Sequence, residues 1–217
     1  MTAAGFEQPL EAICARAPVI PVLVVEEVAV ARPLAEALVR GGLTALEVTL
    51  RTPAALEAIA EMALVAGAAV GAGTLLSPAD VRAAKAAGAV FGVSPGATPA
   101  LLEAAEAEGI PLLPGAATAS EAMALMERGY RLLKFFPAEP AGGAAALAAL
   151  GGPLPQLGFC PTGGIGPGNA AAYLRLPNVR CVGGSWVAPR AMVAAGDWDG
   201  IARLAAEAAA LPRGGAG

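Results

Sequence analysis

The sequence predicts an α/β fold in which strands and helices alternate within one domain. Short apolar runs such as VIPVLVV (19–25) alternate along the whole chain with Ala-rich segments of helical period. Successive apolar runs lie roughly 20–27 residues apart, which is the size of one strand–helix unit. No long linker and no change of composition divides the 217 residues, and a chain of this length can bury one large core.

Eight apolar runs are predicted to be strands, and they cover 19–25, 45–50, 69–73, 90–93, 111–115, 132–136, 158–162 and 180–184. Several of the segments between them begin with Thr or Ser before Pro and end at Gly, as helices do. Eight such units predict a (β/α)8 TIM barrel over residues 1–217, with a doubly wound sheet of five or six strands as the alternative. Residues 1–17 are predicted to add an N-terminal helix, 197–212 a further helix, and 213–217 a frayed tail.

The composition excludes several classes of protein. An apolar fraction of 56% with only 15% charged residues excludes a disordered chain. The net charge of −4, without any basic run, argues against nucleic acid and anionic membrane surfaces as partners. The longest apolar stretches are too short to span a bilayer, and the N-terminus lacks the pattern of a signal peptide. We therefore predict a cytoplasmic protein.

The inventory of reactive side chains is also restricted. Three widely spaced cysteines and the absence of histidine argue against a disulfide framework, against an ordinary zinc site and against a secreted protein. Without histidine, the general acid and base of an enzyme must be Glu, Asp, Lys, Tyr or Cys.

One lysine lies in the middle of a predicted buried strand. In RLLKFFP (131–137), Lys134 shares its face with Leu132 and Phe136, so its amine projects inward beside an aromatic wall. Burying an unpaired ammonium is costly, whereas a neutral amine can act as a nucleophile, which a guanidinium essentially cannot do. We predict that Lys134 is a neutral nucleophile, and a structural salt bridge to Glu47 is the alternative.

Polar residues follow other predicted strands at the end where this fold places active sites. In LEVTLRTP, alternation puts Glu47, Thr49 and Arg51 on the inward face, and a purely structural Glu47–Arg51 ion pair is the alternative to a catalytic role. Thr74 follows two glycines that allow a ligand to approach the backbone closely, and a plain tight turn is the alternative. Pro95 lies in an SPG sequence that by itself indicates only a turn.

Two glycine pairs follow the last two predicted strands, in CPTGGIGPGN and VGGSWVAP. Glycines allow consecutive backbone N–H groups to converge on an anion, and the corresponding loops of TIM barrels often bind phosphate. We therefore predict a phosphate site here, with plain turns as the alternative.

Several motifs, taken together, resemble the 2-keto-3-deoxy-6-phosphogluconate (KDPG) aldolases, which also act on 4-hydroxy-2-oxoglutarate (KHG). The similar stretches occur in family order over about residues 18–190 and are PVLVV, GGLTALEVTLRTP, VGAGT, FGVSPG, IPLLPGAATASE, KFFPAE, FCPTGGI and VGGSW. The resemblance implies a class I aldolase of the Entner–Doudoroff pathway that uses no metal and no cofactor and is usually a homotrimer.

The resemblance also implies roles for individual residues. Lys134 would form the Schiff base, Glu47 would transfer protons, and Arg51 and Thr74 would hold the pyruvyl carboxylate. The remaining candidate substrate contacts are Pro95, Phe136, Thr162, Gly163, Gly164, Gly184 and Ser185. A decarboxylase activity on oxaloacetate could accompany the aldolase.

Two other functions compete with an aldolase. A phosphosugar isomerase or epimerase would suit the two glycine loops, but it leaves Lys134 unexplained. A non-catalytic phosphosugar-binding protein would bind phosphate without cleaving any aldol substrate.

Overall fold

Every strand pair in the fold is parallel, as expected when helices connect successive strands. The structure is a computed structural model that describes residues 3–214. The strands of these residues are β1 (Val19–Leu23), β2 (Ala45–Thr49), β3 (Ala69–Gly73), β4 (Phe91–Val93), β5 (Leu112–Leu113), β6 (Gly115–Ala116), β7 (Leu132–Phe135), β8 (Gly158–Pro161) and β9 (Val182–Gly184). Their α-helices are α1 (Glu7–Cys14), α2 (Ala31–Arg40), α3 (Ala55–Ala63), α4 (Pro78–Ala86), α5 (Pro99–Glu108), α6 (Ala119–Glu127), α7 (Gly143–Gly151), α8 (Ala170–Leu174), α9 (Arg190–Ala195) and α10 (Trp198–Ala209).

The predicted closed, eight-stranded TIM barrel is wrong. The α/β class holds, but the strands form two separate sheets: a six-stranded sheet of order β5-β4-β3-β2-β1-β9 and a three-stranded sheet of order β6-β7-β8. Only isolated bridges, Phe159 to Val179 and Thr162 to Gly183, join β8 to the segment around β9. Two breaks in the ladders therefore replace the continuous ring of hydrogen bonds that a closed barrel requires.

The first break lies within the predicted fifth strand, at Pro114. Proline has no N–H to donate to a ladder, so residues on its two sides pair with different neighbours. Leu113 pairs with β4, whereas Gly115 pairs with Lys134 of β7. The sequence pattern showed an unbroken apolar run at this position and did not indicate the change of partner.

The helices begin and end where local chemistry favours it. Ser77 accepts a hydrogen bond from the Asp80 N–H while the Asp80 carboxylate accepts one from the Ser77 N–H, which forms a capping box at the start of α4. Thr118 and Glu121 form the same arrangement at α6. At the other end, Gly109 terminates α5 with φ +68°, a conformation that is inexpensive only for glycine.

Helices lie at both ends of the described chain. A 3-10 turn over Ala3–Phe6 leads into α1, and α10 packs against α2. Of the tail predicted to fray, residues 215–217 lie outside the described residues, as do residues 1 and 2 of the predicted N-terminal extension. No helix within the described range is long and apolar enough to cross a membrane.

The three cysteines are distant in sequence but meet in the core. Cys14 of α1, Cys160 of β8 and Cys181 are all free and buried. Hydrogen bonds with the Cys14 and Cys160 thiols, together with complete burial, raise the pKa of the Cys181 thiol well above its ordinary value. The Cys181 thiol is therefore a neutral part of the core at ordinary pH.

Candidate active site

A buried lysine and a buried glutamate meet between the two sheets. Lys134 of β7 and Glu47 of β2 are 4% and 3% exposed, and the Lys134 Nζ lies 3.2 Å from the Glu47 Oε1. This contact is the Lys134–Glu47 salt bridge that the sequence left open as the alternative to a neutral nucleophile. The pair is compensated as an ammonium and a carboxylate, and at this distance a proton can pass directly between the two groups.

Two glycines in β3 make room for side chains, Gly73 for Glu47 and Gly71 for Phe91. A Cβ atom on Gly73 would lie 2.2 Å from the Glu47 Oε1, and a Cβ atom on Gly71 would lie 2.4 Å from the Phe91 ring. Both positions were predicted to admit a ligand, but they admit side chains of the protein itself. The Glu47 carboxylate thus packs directly against the backbone of Gly73 while it contacts the Lys134 amine.

An aromatic ring lies beside the Lys134 amine, and a proline lies against the neighbouring strand. The Lys134 Nζ lies 5.2 Å from the centroid of the Phe136 ring, which is within the range of a cation–π contact. Gly115 is the register partner of Lys134, and a Cβ atom on Gly115 would lie 2.3 Å from the Pro95 carbonyl carbon and oxygen. Phe136 therefore lies near the amine, and Pro95 lies against β6, the strand that pairs with β7 beside Lys134.

Arg51 and Thr74 form a second pair, at the exposed rim of the site. The Arg51 Nε donates a hydrogen bond to the Thr74 Oγ1 at 3.3 Å. The Glu47–Arg51 ion pair that the sequence left open is replaced by this contact and by the pair of Glu47 with Lys134. Thr74 has φ +61°, in the left-handed region that a β-branched residue rarely occupies. The strained backbone directs the hydroxyl toward the guanidinium.

In the loop after β8, three successive carbonyl groups are hydrogen-bonded to the protein, and the N–H groups that follow them point the opposite way. The carbonyl oxygens of Thr162, Gly163 and Gly164 each accept a hydrogen bond from a donor of the protein. The three donors are the Ala138 N–H at 2.8 Å, the Glu139 N–H at 3.0 Å and the Asn169 Nδ2 at 3.0 Å. In a trans peptide the carbonyl and the next N–H point in opposite directions, so the N–H groups of Gly163, Gly164 and Ile165 point away from these donors.

These three N–H groups form a candidate anion site. Within residues 3–214 none of them donates to a protein acceptor, and successive free N–H groups of this kind create a concave, positively polarised surface. Gly163 and Gly164 have φ +106° and +77°, so the arrangement requires glycine at both positions. The Thr162 hydroxyl beside them is buried and has no hydrogen-bond partner within the same described range.

The loop after β9 lies next to this candidate anion site. Thr162 forms an isolated bridge with Gly183, and a Cβ atom on Gly183 would lie 2.2 Å from the Thr162 Oγ1. Gly184 is required because the Trp186 ring occupies the place of its side chain, 1.7 Å from an ideal Cβ. Ser185 is exposed and lines a cavity of about 380 Å³ together with Val22, Trp186 and Arg190.

Comparison with known proteins assigns the chain to a family. The sequence profile of a family described as KDPG and KHG aldolase matches residues 10–204. This chain belongs to that family. The "2-dehydro-3-deoxy-phosphogluconate aldolase" of Pseudoalteromonas atlantica is 52% identical over 91% of this chain and 93% of its own length. The "KHG/KDPG aldolase" of Escherichia coli K12 is 51% identical over 94% and 96%.

Solved structures of this aldolase family agree with the fold. The KDPG aldolase of Zymomonas mobilis ATCC 29191 superposes with a TM-score of 0.89 at 50% identity, covering 94% of this chain and 97% of that one. A KDPG aldolase from Legionella pneumophila, with pyruvate captured as a covalent carbinolamine intermediate, has a TM-score of 0.90 at 46% identity and covers 92% and 98%.

Two residues near the site were not singled out from the sequence. Cys160 is the register partner of Lys134 on β8, so its side chain lies on the same face of the sheet. Asn169 binds the glycine loop through both ends of its side chain. The GPGN sequence that precedes α8 gave little indication of this role, because an asparagine just before a helix is usually explained as the cap of that helix.

Proposed function

We propose that this aldolase cleaves KDPG to pyruvate and glyceraldehyde 3-phosphate through a Schiff base on Lys134. The single observation that carries the proposal is the buried Lys134–Glu47 contact of 3.2 Å, which supplies a nucleophile and a proton acceptor at one point. The Legionella relative, which captures pyruvate covalently, supports a carbinolamine route. A simple binding protein would need neither group, and an isomerase would need a carboxylate base but no nucleophilic amine.

In the first half of the reaction Lys134 becomes bonded to the substrate. Glu47 takes a proton from the ammonium, and the neutral amine attacks the C2 ketone carbon. Glu47 then returns a proton to the resulting alkoxide and removes one from the nitrogen, which gives a carbinolamine. A proton from Glu47 allows the hydroxyl to leave as water, and an iminium remains while Glu47 is again a carboxylate.

In the second half the iminium accepts the electrons of the broken carbon–carbon bond. Glu47 takes the proton of the C4 hydroxyl, the C3–C4 bond breaks, and glyceraldehyde 3-phosphate leaves as an aldehyde. The electron pair forms an enamine of pyruvate on Lys134. Glu47 protonates C3, and water hydrolyses the iminium to release pyruvate and restore the Lys134 ammonium beside the Glu47 carboxylate.

Two groups of residues orient the substrate in this proposal. The guanidinium of Arg51 and the hydroxyl of Thr74 hold the pyruvyl carboxylate, since a planar guanidinium can bind both carboxylate oxygens. The N–H groups of Gly163, Gly164 and Ile165 hold the phosphate at the other end, beside Ser185. Anchoring both ends leaves the C2 carbon at Lys134 in a fixed orientation, which lowers the entropic part of the barrier.

A coupled assay tests the proposed activity. Pyruvate release would be followed by lactate dehydrogenase with KDPG and, separately, with KHG as the substrate. Borohydride added in the presence of pyruvate should reduce the iminium and leave a stable mass increase on the peptide that contains Lys134. Pyruvate release without any trapped adduct would contradict the Schiff base, and an isomerase would show neither signal.

Replacing Thr74 with glycine should separate stability from activity. Glycine removes the strain of a β-branched residue at φ +61°, worth about 1–2 kcal/mol, although it adds freedom to the unfolded chain. We expect the variant to unfold at the same or a higher temperature, while KM for KDPG rises about 10-fold because the hydroxyl is lost. Thr74→Ser, which keeps the hydroxyl, is the control and should retain KM near the wild-type value. A Thr74→Gly protein with unchanged KM would refute the carboxylate contact.

We further propose that the protein cleaves KHG and works as a cytoplasmic homotrimer. The name of the Escherichia coli relative supports activity on KHG, and three free cysteines suit a reducing compartment. Support for the trimer is the family resemblance alone. Light scattering coupled to size-exclusion chromatography would measure the mass of the assembly, and a mass of one chain would contradict it.

A further inference from the structure

Asn169 bridges both ends of the glycine loop that follows β8. It lies at the N-cap of α8, where its Nδ2 donates to the Gly164 carbonyl at 3.0 Å and its Oδ1 accepts from the Gly166 N–H at 2.8 Å. Its side chain is only partly exposed. Both polar atoms of the amide are therefore engaged within one short stretch of backbone.

The hydrogen bond to Gly164 controls the direction of one peptide group. The carbonyls of Thr162 and Gly163 are held by backbone N–H groups, which no substitution of a side chain removes. The Gly164 carbonyl is held by the Asn169 side chain instead. Because Gly164 can rotate with little steric penalty, the Ile165 N–H keeps its direction toward the anion site only while Asn169 holds that carbonyl.

Helix α8 supports the same loop from a second point. The buried Tyr173 hydroxyl donates to the Glu139 carboxylate, and the Glu139 N–H donates to the Gly163 carbonyl. Burial, followed by the hydrogen bond to Glu139, raises the pKa of Tyr173, so the phenol remains a donor. Glu139 also fills the space beside Gly164, with its Cγ 2.7 Å from an ideal Cβ at that residue.

We infer that Asn169 is a positioning residue that orients the Ile165 N–H, the third donor of the candidate anion site, for a phosphate monoester dianion. The inference rests on the proposed function for the identity of the substrate, but not for the geometry of the anion site. Asn169 acts through the loop, and it touches neither the amine of Lys134 nor the carboxylate of Glu47. Its loss should therefore weaken recognition of the phosphate and leave the chemistry at C2 intact.

Kinetics on two substrates test this role. Asn169→Ala should raise KM for KDPG about 10-fold, the effect of losing a hydrogen bond to a charged group, with little change in kcat. KM for KHG, which has no phosphate, should stay within about 2-fold of the wild-type value, as should the rate of borohydride trapping with pyruvate. Asn169→Asp keeps the acceptor for Gly166 but turns a carboxylate oxygen toward the Gly164 carbonyl, so its KM for KDPG should rise further.

Control variants separate positioning from folding. Tyr173→Phe keeps the buried ring and removes only the hydroxyl, so it should raise KM for KDPG less than Asn169→Ala does. Equal increases of KM for KDPG and KHG in Asn169→Ala, or wild-type KM for both, would overturn the inference. Wild-type KM for KDPG in Asn169→Asp would overturn it as well.

A binding measurement keeps the inference independent of catalysis. Titration of inorganic phosphate, followed by 31P NMR line width, should show weaker binding to Asn169→Ala than to the wild-type protein. Equal phosphate affinity would overturn the positioning role even if the protein proved to have no aldolase activity. Failure of the proposed function would appear separately, as wild-type protein that binds phosphate but releases no pyruvate.

Discussion

Replacing Lys134 with arginine should lower pyruvate release from KDPG by at least about 10⁴-fold. Arginine keeps the positive charge beside Glu47 but cannot lose its proton to become a nucleophile. Borohydride and pyruvate should then produce no mass increase on the variant. The measurement is the coupled pyruvate assay together with intact-protein mass spectrometry.

The control for this prediction must separate lost chemistry from lost folding. Lys134→Met would leave the Glu47 carboxylate buried without its cation, a loss of about 3–5 kcal/mol of stability unless the carboxylate takes up a proton. Adding Glu47→Gln to Lys134→Met removes that charge, so the double variant should recover part of the lost stability while remaining inactive. Pyruvate release from a well-folded Lys134→Arg protein would contradict the mechanism directly.

Replacing Glu47 with glutamine should lower kcat by about 10²–10⁴-fold, the usual contribution of a general acid and base. Glutamine is similar in size and can still accept a hydrogen bond from Lys134, but it cannot take the proton of the ammonium or of the C4 hydroxyl. The borohydride adduct with pyruvate should still form, at a reduced rate. Wild-type turnover would remove Glu47 from the mechanism.

A second variant displaces the same carboxylate without changing it. A Cβ atom on Gly73 would lie 2.2 Å from the Glu47 Oε1, so Gly73→Ala must push the carboxylate away from its present position. We expect kcat to fall together with the rate of imine formation, while Glu47 and Lys134 both remain present. Unchanged kcat would show that the contact of 3.2 Å between the amine and the carboxylate is not needed for proton transfer.

The chemistry of the candidate site was accessible from local sequence because its residues lie at the ends of recognisable strands. Lys134 was conspicuous as a single amine inside an apolar run, and strand alternation placed Glu47 on the inward face. The partner of each side chain was harder to predict, because the sequence allowed Glu47 to pair with either Lys134 or Arg51. The contacts of Glu47 with Lys134 and of Arg51 with Thr74 depend on side chains that are 87 and 23 residues apart.

The parts of the site that were missed are contacts between segments. Asn169 reads in sequence as an ordinary helix cap, and its bond to the Gly164 carbonyl appears only when the loop folds back. Gly73 reads as room for a ligand, but the Glu47 carboxylate from the neighbouring strand takes that room. Neither contact has a periodicity that a linear pattern could reveal.

The sequence by itself determined the α/β class, the positions of the parallel strands and the presence of an inward-facing amine. These properties follow from hydrophobic period and local turn chemistry, which act over a few residues. Only the tertiary structure decided that the strands form two sheets, because Pro114 ends one ladder and allows the residues beyond it to pair with β7. Long-range pairing is chosen by the packing of the whole chain, and so the partner of each strand and of each buried charge had to be observed.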